Sequence, residues 1–92
     1  MKKIALVTGG GRGIGKAVAQ YFLQNNFKVI LAEVNAQLGQ QTETEFRAQG
    51  FDAHFVETDV SSVASIEATF AWVNDQFGQL NVLINNAGLS EF

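Results

Sequence analysis

The chain has 92 residues, 47% hydrophobic and 16% charged, which fits one small packed domain and excludes both two domains and a disordered chain. Six Lys and Arg against nine Asp and Glu leave a net charge of −3, so there is no basic footprint for nucleic acid or an anionic membrane. Without cysteine there are no disulfides, thiolate metal sites or thiol nucleophiles.

Met1-Lys2-Lys3 has the charge of a signal-peptide start, but the apolar run at 4–7 stops after four residues in Thr8-Gly9-Gly10-Gly11. The expectation is a cytoplasmic protein that opens on a strand buried on both faces. No apolar run approaches the ~20 residues that cross a bilayer. From 13 to 24 the apolar residues Ile14, Ala17, Val18, Tyr21 and Phe22 follow helical spacing, and Asn25-Asn26 ends the helix. Residues 28–33 form a second apolar run, closing on the carboxylate of Glu33.

Asn35 is an N-cap for a second helix at 36–49, ended by Gly50 in the left-handed conformation. Only Leu38 and Phe46 are large on its apolar face, which predicts a helix at the rim. A third strand is expected at 53–57, then Thr58-Asp59-Val60 and a Ser61-Ser62 cap. The third helix carries Val63, Ile66, Phe70, Val73 and Phe77 as its stripe and closes at Gly78; a fourth strand is expected at 80–85. The fold class is therefore α/β: a parallel βαβαβαβ sheet of Rossmann type, which binds ligands beyond the carboxyl ends of its strands.

Glycines 9, 13 and 15 lie in a turn between strand and helix, where a phosphate can approach the backbone and the helix start offers free N–H groups. Two readings fit. The pattern T-G-x-x-x-G-x-G is one for a dinucleotide, whereas residues 10–16 match the P-loop pattern G-x-x-x-x-G-K. Ala17 stands where a P-loop needs a hydroxyl for magnesium, which disfavours triphosphate chemistry. Glu33 lies 18 positions after Gly15, close to the ~20 at which a dinucleotide fold places an acid on the adenosine ribose. A carboxylate there favours NAD over NADP. Arg12 has three alternatives: reaching a 2′-phosphate, pairing with Glu33, or lying along a diphosphate.

Thr8-Gly9-x-x-x-Gly13-Ile14-Gly15, Asp59-Val60 and Asn85-Asn86-Ala87-Gly88 together resemble the short-chain dehydrogenase/reductase family, in its order and approximate spacing. The resemblance covers essentially the whole chain but only the N-terminal part of what family members contain, so the sheet is expected to stop after its fourth strand. It implies a single NAD(P)-binding domain over 1–92. It also implies hydride transfer between a nicotinamide and an alcohol or carbonyl carbon. Asp59 would accept from the adenine amino group, Val60 would contact the ring, Ile14 would sit near the diphosphate, and Asn86, Ala87 and Gly88 would pass beside the cofactor ribose. Asp59 as a cap for the third helix and Ile14 as a buried helix-start residue remain alternatives.

The family's catalytic Ser and Tyr-x-x-x-Lys have no match. Tyr21 is followed four residues later by Asn25, and Ser90 comes too soon after Gly88. The alternatives in function are a non-catalytic nucleotide-binding module and a P-loop phosphohydrolase. No metal site is expected, and lone His54 is read as a satisfied residue. Trp72 falls off the stripe of the third helix, and Glu43, Glu45, Glu67 and Asp75 read as solvated. An exposed fourth strand predicts self-association or a missing C-terminal half.

Overall fold

In the computed structural model, which describes residues 2–87, strands and helices alternate as β1 (Ile4–Thr8), α1 (Gly13–Gln24), β2 (Lys28–Glu33), α2 (Ala36–Ala48), β3 (Ala53–Glu57), α3 (Val63–Phe77) and β4 (Val82–Ile84). The sheet is wholly parallel, in the order β3-β2-β1-β4. Ala5 stands opposite both Val29 and Val82, and Val29 opposite Ala53, so the strand ends are level where the chain leaves for each helix.

Continuous apolar runs make β1 and β2 because both of their faces are covered. Ala5, Val7, Val29 and Leu31 pack with Ala19 and Leu23 of α1 and Phe46 of α2, while Ile4, Leu6, Ile30 and Ala32 pack with Val73 of α3. The caps are those expected. Asn35 Oδ1 accepts from Leu38 N–H, Ser62 Oγ accepts from Ser65 N–H, and Gly50 and Gly78 end their helices with φ of +86° and +70°.

Helix faces follow the expected stripes only in part: Val18 and Phe22 of α1 and Val73 and Phe77 of α3 pack into the core. On α1 the buried residues are Gly15, Ala19 and Leu23, with Ile14 and Tyr21 turned outward. Small residues win the inner face because they let the α1 backbone come close to the sheet. On α3 the buried residues are Thr69 and Val73, whereas Val63 is 72% exposed. Thr69 turns inward because its hydroxyl pairs with that of Thr58 at 2.6 Å. Trp72, expected off the stripe, packs edge-on against Phe77 beneath the sheet. On α2 the thin face is completed by Gly39 and Thr42, both buried; the missing side chain at Gly39 makes room for the Phe55 ring.

β4 starts later than the expected residue 80. Asn81 makes the approach first, its Oδ1 accepting from Ile4 N–H at 2.8 Å and its own N–H donating to the Ile4 carbonyl at 2.9 Å.

Candidate functional site

Where β1 gives way to α1, the loop at 9–12 is tied to the carboxyl end of β2. Gly9 N–H donates to Ala32 O at 2.7 Å, and Gly11 N–H donates to Glu33 Oε1 at 3.0 Å. The first turn of α1 rests on the loop itself. A Cβ at Gly15 would run into the Gly9 carbonyl oxygen and lie 2.6 Å from Asn86 Nδ2, so this position admits only glycine. Arg12, the N-cap residue, makes no capping bond with its side chain, and the first turn holds no acid. The positive end of α1 thus has neither a side-chain cap nor a first-turn acid.

Glu33 is buried at the end of β2, and its second oxygen, Oε2, accepts from Asn35 N–H at 3.1 Å. Both oxygens are turned to backbone amides, so pairing with Arg12 is not what the structure holds; Arg12 is exposed at the rim. Asp59 does not cap α3, a role that Ser62 takes. Its carboxylate instead receives the Ser61 hydroxyl at 2.7 Å and the Ser61 N–H at 2.9 Å, which hold its pKa below the usual carboxylate value.

The far wall hangs on Thr8. Its hydroxyl oxygen accepts from Asn86 N–H at 2.9 Å and Ala87 N–H at 3.0 Å, fastening the segment after β4 to the end of β1. Asn86 is buried, with Nδ2 directed at Gly9 O.

Between these walls lies an open groove of about 470 Å³ that brings together Gly9, Arg12, Gly13, Ile14, Glu33, Asp59, Val60, Asn86 and Ala87. Ile14 is 70% exposed beside it, which corrects the buried helix-start alternative. Gly15 lies under the groove as a spacer, and Gly88 falls outside the described residues. Val34 and Ser61 also line it.

Thr8, Gly11, Asn35 and Thr42, which shape this site, are not among the site residues expected from the sequence, where Thr8 enters only as part of the motif and Asn35 only as a helix cap. The first two sit inside the glycine motif and were findable there. Thr42 carries no signal, being one threonine on a weakly apolar helix.

Other candidates resolve away from the groove. Lys16 Nζ binds Glu45 Oε2 at 2.8 Å, so the lysine of the P-loop pattern is tied to α2. Glu45 is thereby partnered, and Glu43 accepts from Phe55 N–H at 2.7 Å, so neither is merely solvated. His54 is satisfied at the amino end of the sheet, with Nε2 on Asp52 Oδ1 at 2.8 Å and Nδ1 on Arg47 Nη2 at 3.1 Å. Lys28 and Lys2 also approach Asp52, at 3.7 and 3.8 Å. Partial burial pushes the Asp52 carboxyl up, but the His54 hydrogen bond and the charges of Lys28, His54 and Lys2 together hold it below its ordinary value.

The sequence pattern of the short chain dehydrogenase family matches residues 3–92, and the chain belongs to that family. An uncharacterized oxidoreductase of Thermotoga maritima is 41% identical over 87 residues, 95% of this chain and 34% of that protein. A variant of actinorhodin polyketide ketoreductase solved with NADPH superposes with a TM-score of 0.89 at 35% identity, covering 94% of this chain and 33% of its own. A short chain dehydrogenase/reductase from Burkholderia phymatum, in complex with NAD, gives 0.85 at 33% identity, covering 89% and 29%. The chain spans about a third of the length of these relatives. Among the described residues no helix is long and apolar enough to cross a membrane.

Proposed function

We propose that residues 1–92 form the dinucleotide-binding unit of a nicotinamide-dependent oxidoreductase, one that moves hydride between its cofactor and an alcohol or carbonyl carbon. The observation that carries this reading is the groove beyond the carboxyl ends of the strands, where a glycine-rich loop enters an uncapped helix and a carboxylate closes the adjacent strand. Its size falls in the ~300–1,000 Å³ usual for ligand pockets. The amides at the start of α1, around Gly13 and Ile14, suit the diphosphate. Glu33, with lone pairs left on both oxygens, suits the adenosine ribose hydroxyls. The Asp59 carboxylate suits the adenine amino group beside Val60, and Asn86 and Ala87, with Gly88 by the family pattern, suit the second ribose.

Bound there, the dinucleotide supplies the hydride donor or acceptor. The chain's own residues bind and orient it; none of residues 2–87 is assigned a catalytic role. Glu33 favours NAD, since each unit of charge on a 2′-phosphate at 4 Å would be repelled by up to about 4 kcal/mol at an effective dielectric of 20. Arg12 at the rim is the counterweight that serves NADP. A cytoplasmic location goes with the use of a soluble dinucleotide.

Calorimetric titration of the chain tests this. NADH is expected to bind at least about tenfold more tightly than NADPH, and magnesium ATP to give no heat. Magnesium-dependent ATP binding without NADH binding overturns the reading.

A further inference from the structure

Gly11 is held through both of its flanking peptides. Its N–H donates to Glu33 Oε1 at 3.0 Å, and its carbonyl accepts from the Thr42 hydroxyl at 2.6 Å, both bonds being buried. Thr42 lies on α2, is 2% exposed and does not line the groove. A Cβ at position 11 would be 2.7 Å from Glu33 Oε1, so any larger residue there would displace the Glu33 side chain from the clamp. With Gly9 N–H on Ala32 O, the inner half of the loop is fastened to β2 and α2, while Arg12, Gly13 and Ile14 are exposed.

The carbonyl of Gly11 and the N–H of Arg12 belong to one planar trans peptide and point in opposite directions. Whatever draws that carbonyl inward turns the Arg12 N–H outward, on the side where Arg12 lines the groove. A peptide next to glycine has little steric resistance to turning over. The Thr42 hydroxyl is the bond that opposes this.

We infer that Thr42 is a positioning residue for the cofactor diphosphate: it keeps the 11–12 peptide from flipping and so aims the Arg12 N–H into the groove. The inference rests on the dinucleotide reading above. Thr42→Val keeps the shape of the side chain and removes the donor; Thr42→Ser keeps the donor. Titration with NADH is expected to show about a tenfold weaker affinity for Thr42→Val, the size of one buried hydrogen bond, and recovery to within about twofold for Thr42→Ser. In ¹⁵N spectra of the ligand-free chain, the Arg12 amide is expected as one resonance in the wild type and Thr42→Ser, and as a shifted or doubled one in Thr42→Val.

Unchanged NADH affinity in Thr42→Val, or failure of Thr42→Ser to restore it, overturns the inference. Should the wild type itself not bind NADH, the proposed function falls, and the Arg12 resonance alone decides the clamp. Should Thr42→Val not fold, Thr42→Cys, of similar size and with a weak donor, takes its place and is expected between wild type and full loss; wild-type affinity there overturns the inference.

Discussion

Thr8 does more with one hydroxyl than its place at the end of a strand announces. Its oxygen accepts from two backbone amides of the opposite wall, and one of these, Asn86 N–H, is buried. Thr8→Val would leave both without that partner, and we expect a loss of about 1–3 kcal/mol in urea denaturation, with much of it regained in Thr8→Ser. At the other end of the sheet, Asp52 sets a pH dependence. Its folded-state pKa is lowered, so its contribution is complete above the unfolded value of about 4 and is lost as the pH falls below it. The Asp52 side chain is 32% exposed, and Asp52→Asn is expected to cost less than about 1 kcal/mol at pH 7 and less at pH 2 than at pH 7, read from urea curves at the two pH values.

At the scale of elements, what was legible in the sequence follows from what each element needs. β1 and β2, covered on both faces, must be apolar without a break, and residues 4–7 and 28–33 said so. The helix faces were harder, because counting large apolar residues misses contacts made by small ones: Gly15 and Ala19 on α1, Gly39 and Thr42 on α2. The same close contact gives a prediction. Alanine favours helix over glycine by about 1 kcal/mol, yet Gly15→Ala is expected to lower the melting temperature and abolish NADH binding, since its Cβ meets the Gly9 carbonyl. A higher melting temperature in Gly15→Ala would show that the loop yields.

Considered as a whole, the molecule is unevenly clad. α1 and α2 share one face of the sheet, and α3 serves the other, leaving an apolar hollow of about 190 Å³ lined by Ile66 and Phe70 of α3 and by Leu83 of β4. Leu83 is 51% exposed on the edge strand. We expect the chain to self-associate in sedimentation velocity runs at micromolar concentration, and Leu83→Lys to shift it toward monomer. A monodisperse wild-type monomer would contradict this. Of the residues that line the groove, Gly9 and Glu33 stand out in the sequence through glycine spacing and a strand-end carboxylate, and Asn86 only through the family resemblance. Thr42 does not stand out, because its work depends on where α2 lies in space.

The two walls of the groove also differ in how far apart along the chain their fastenings lie. Glu33 and Thr42 reach Gly11 across 22 and 31 residues, whereas Asn86 reaches Thr8 across 78. Closing the longer loop costs about 1 kcal/mol more in chain entropy. The glycine-rich loop and its clamp are therefore expected to form early in folding and the Asn86 wall late, so that Thr42→Val slows refolding while Thr8→Val chiefly speeds unfolding. The half of the groove proposed for the diphosphate would then take shape before the half proposed for the second ribose.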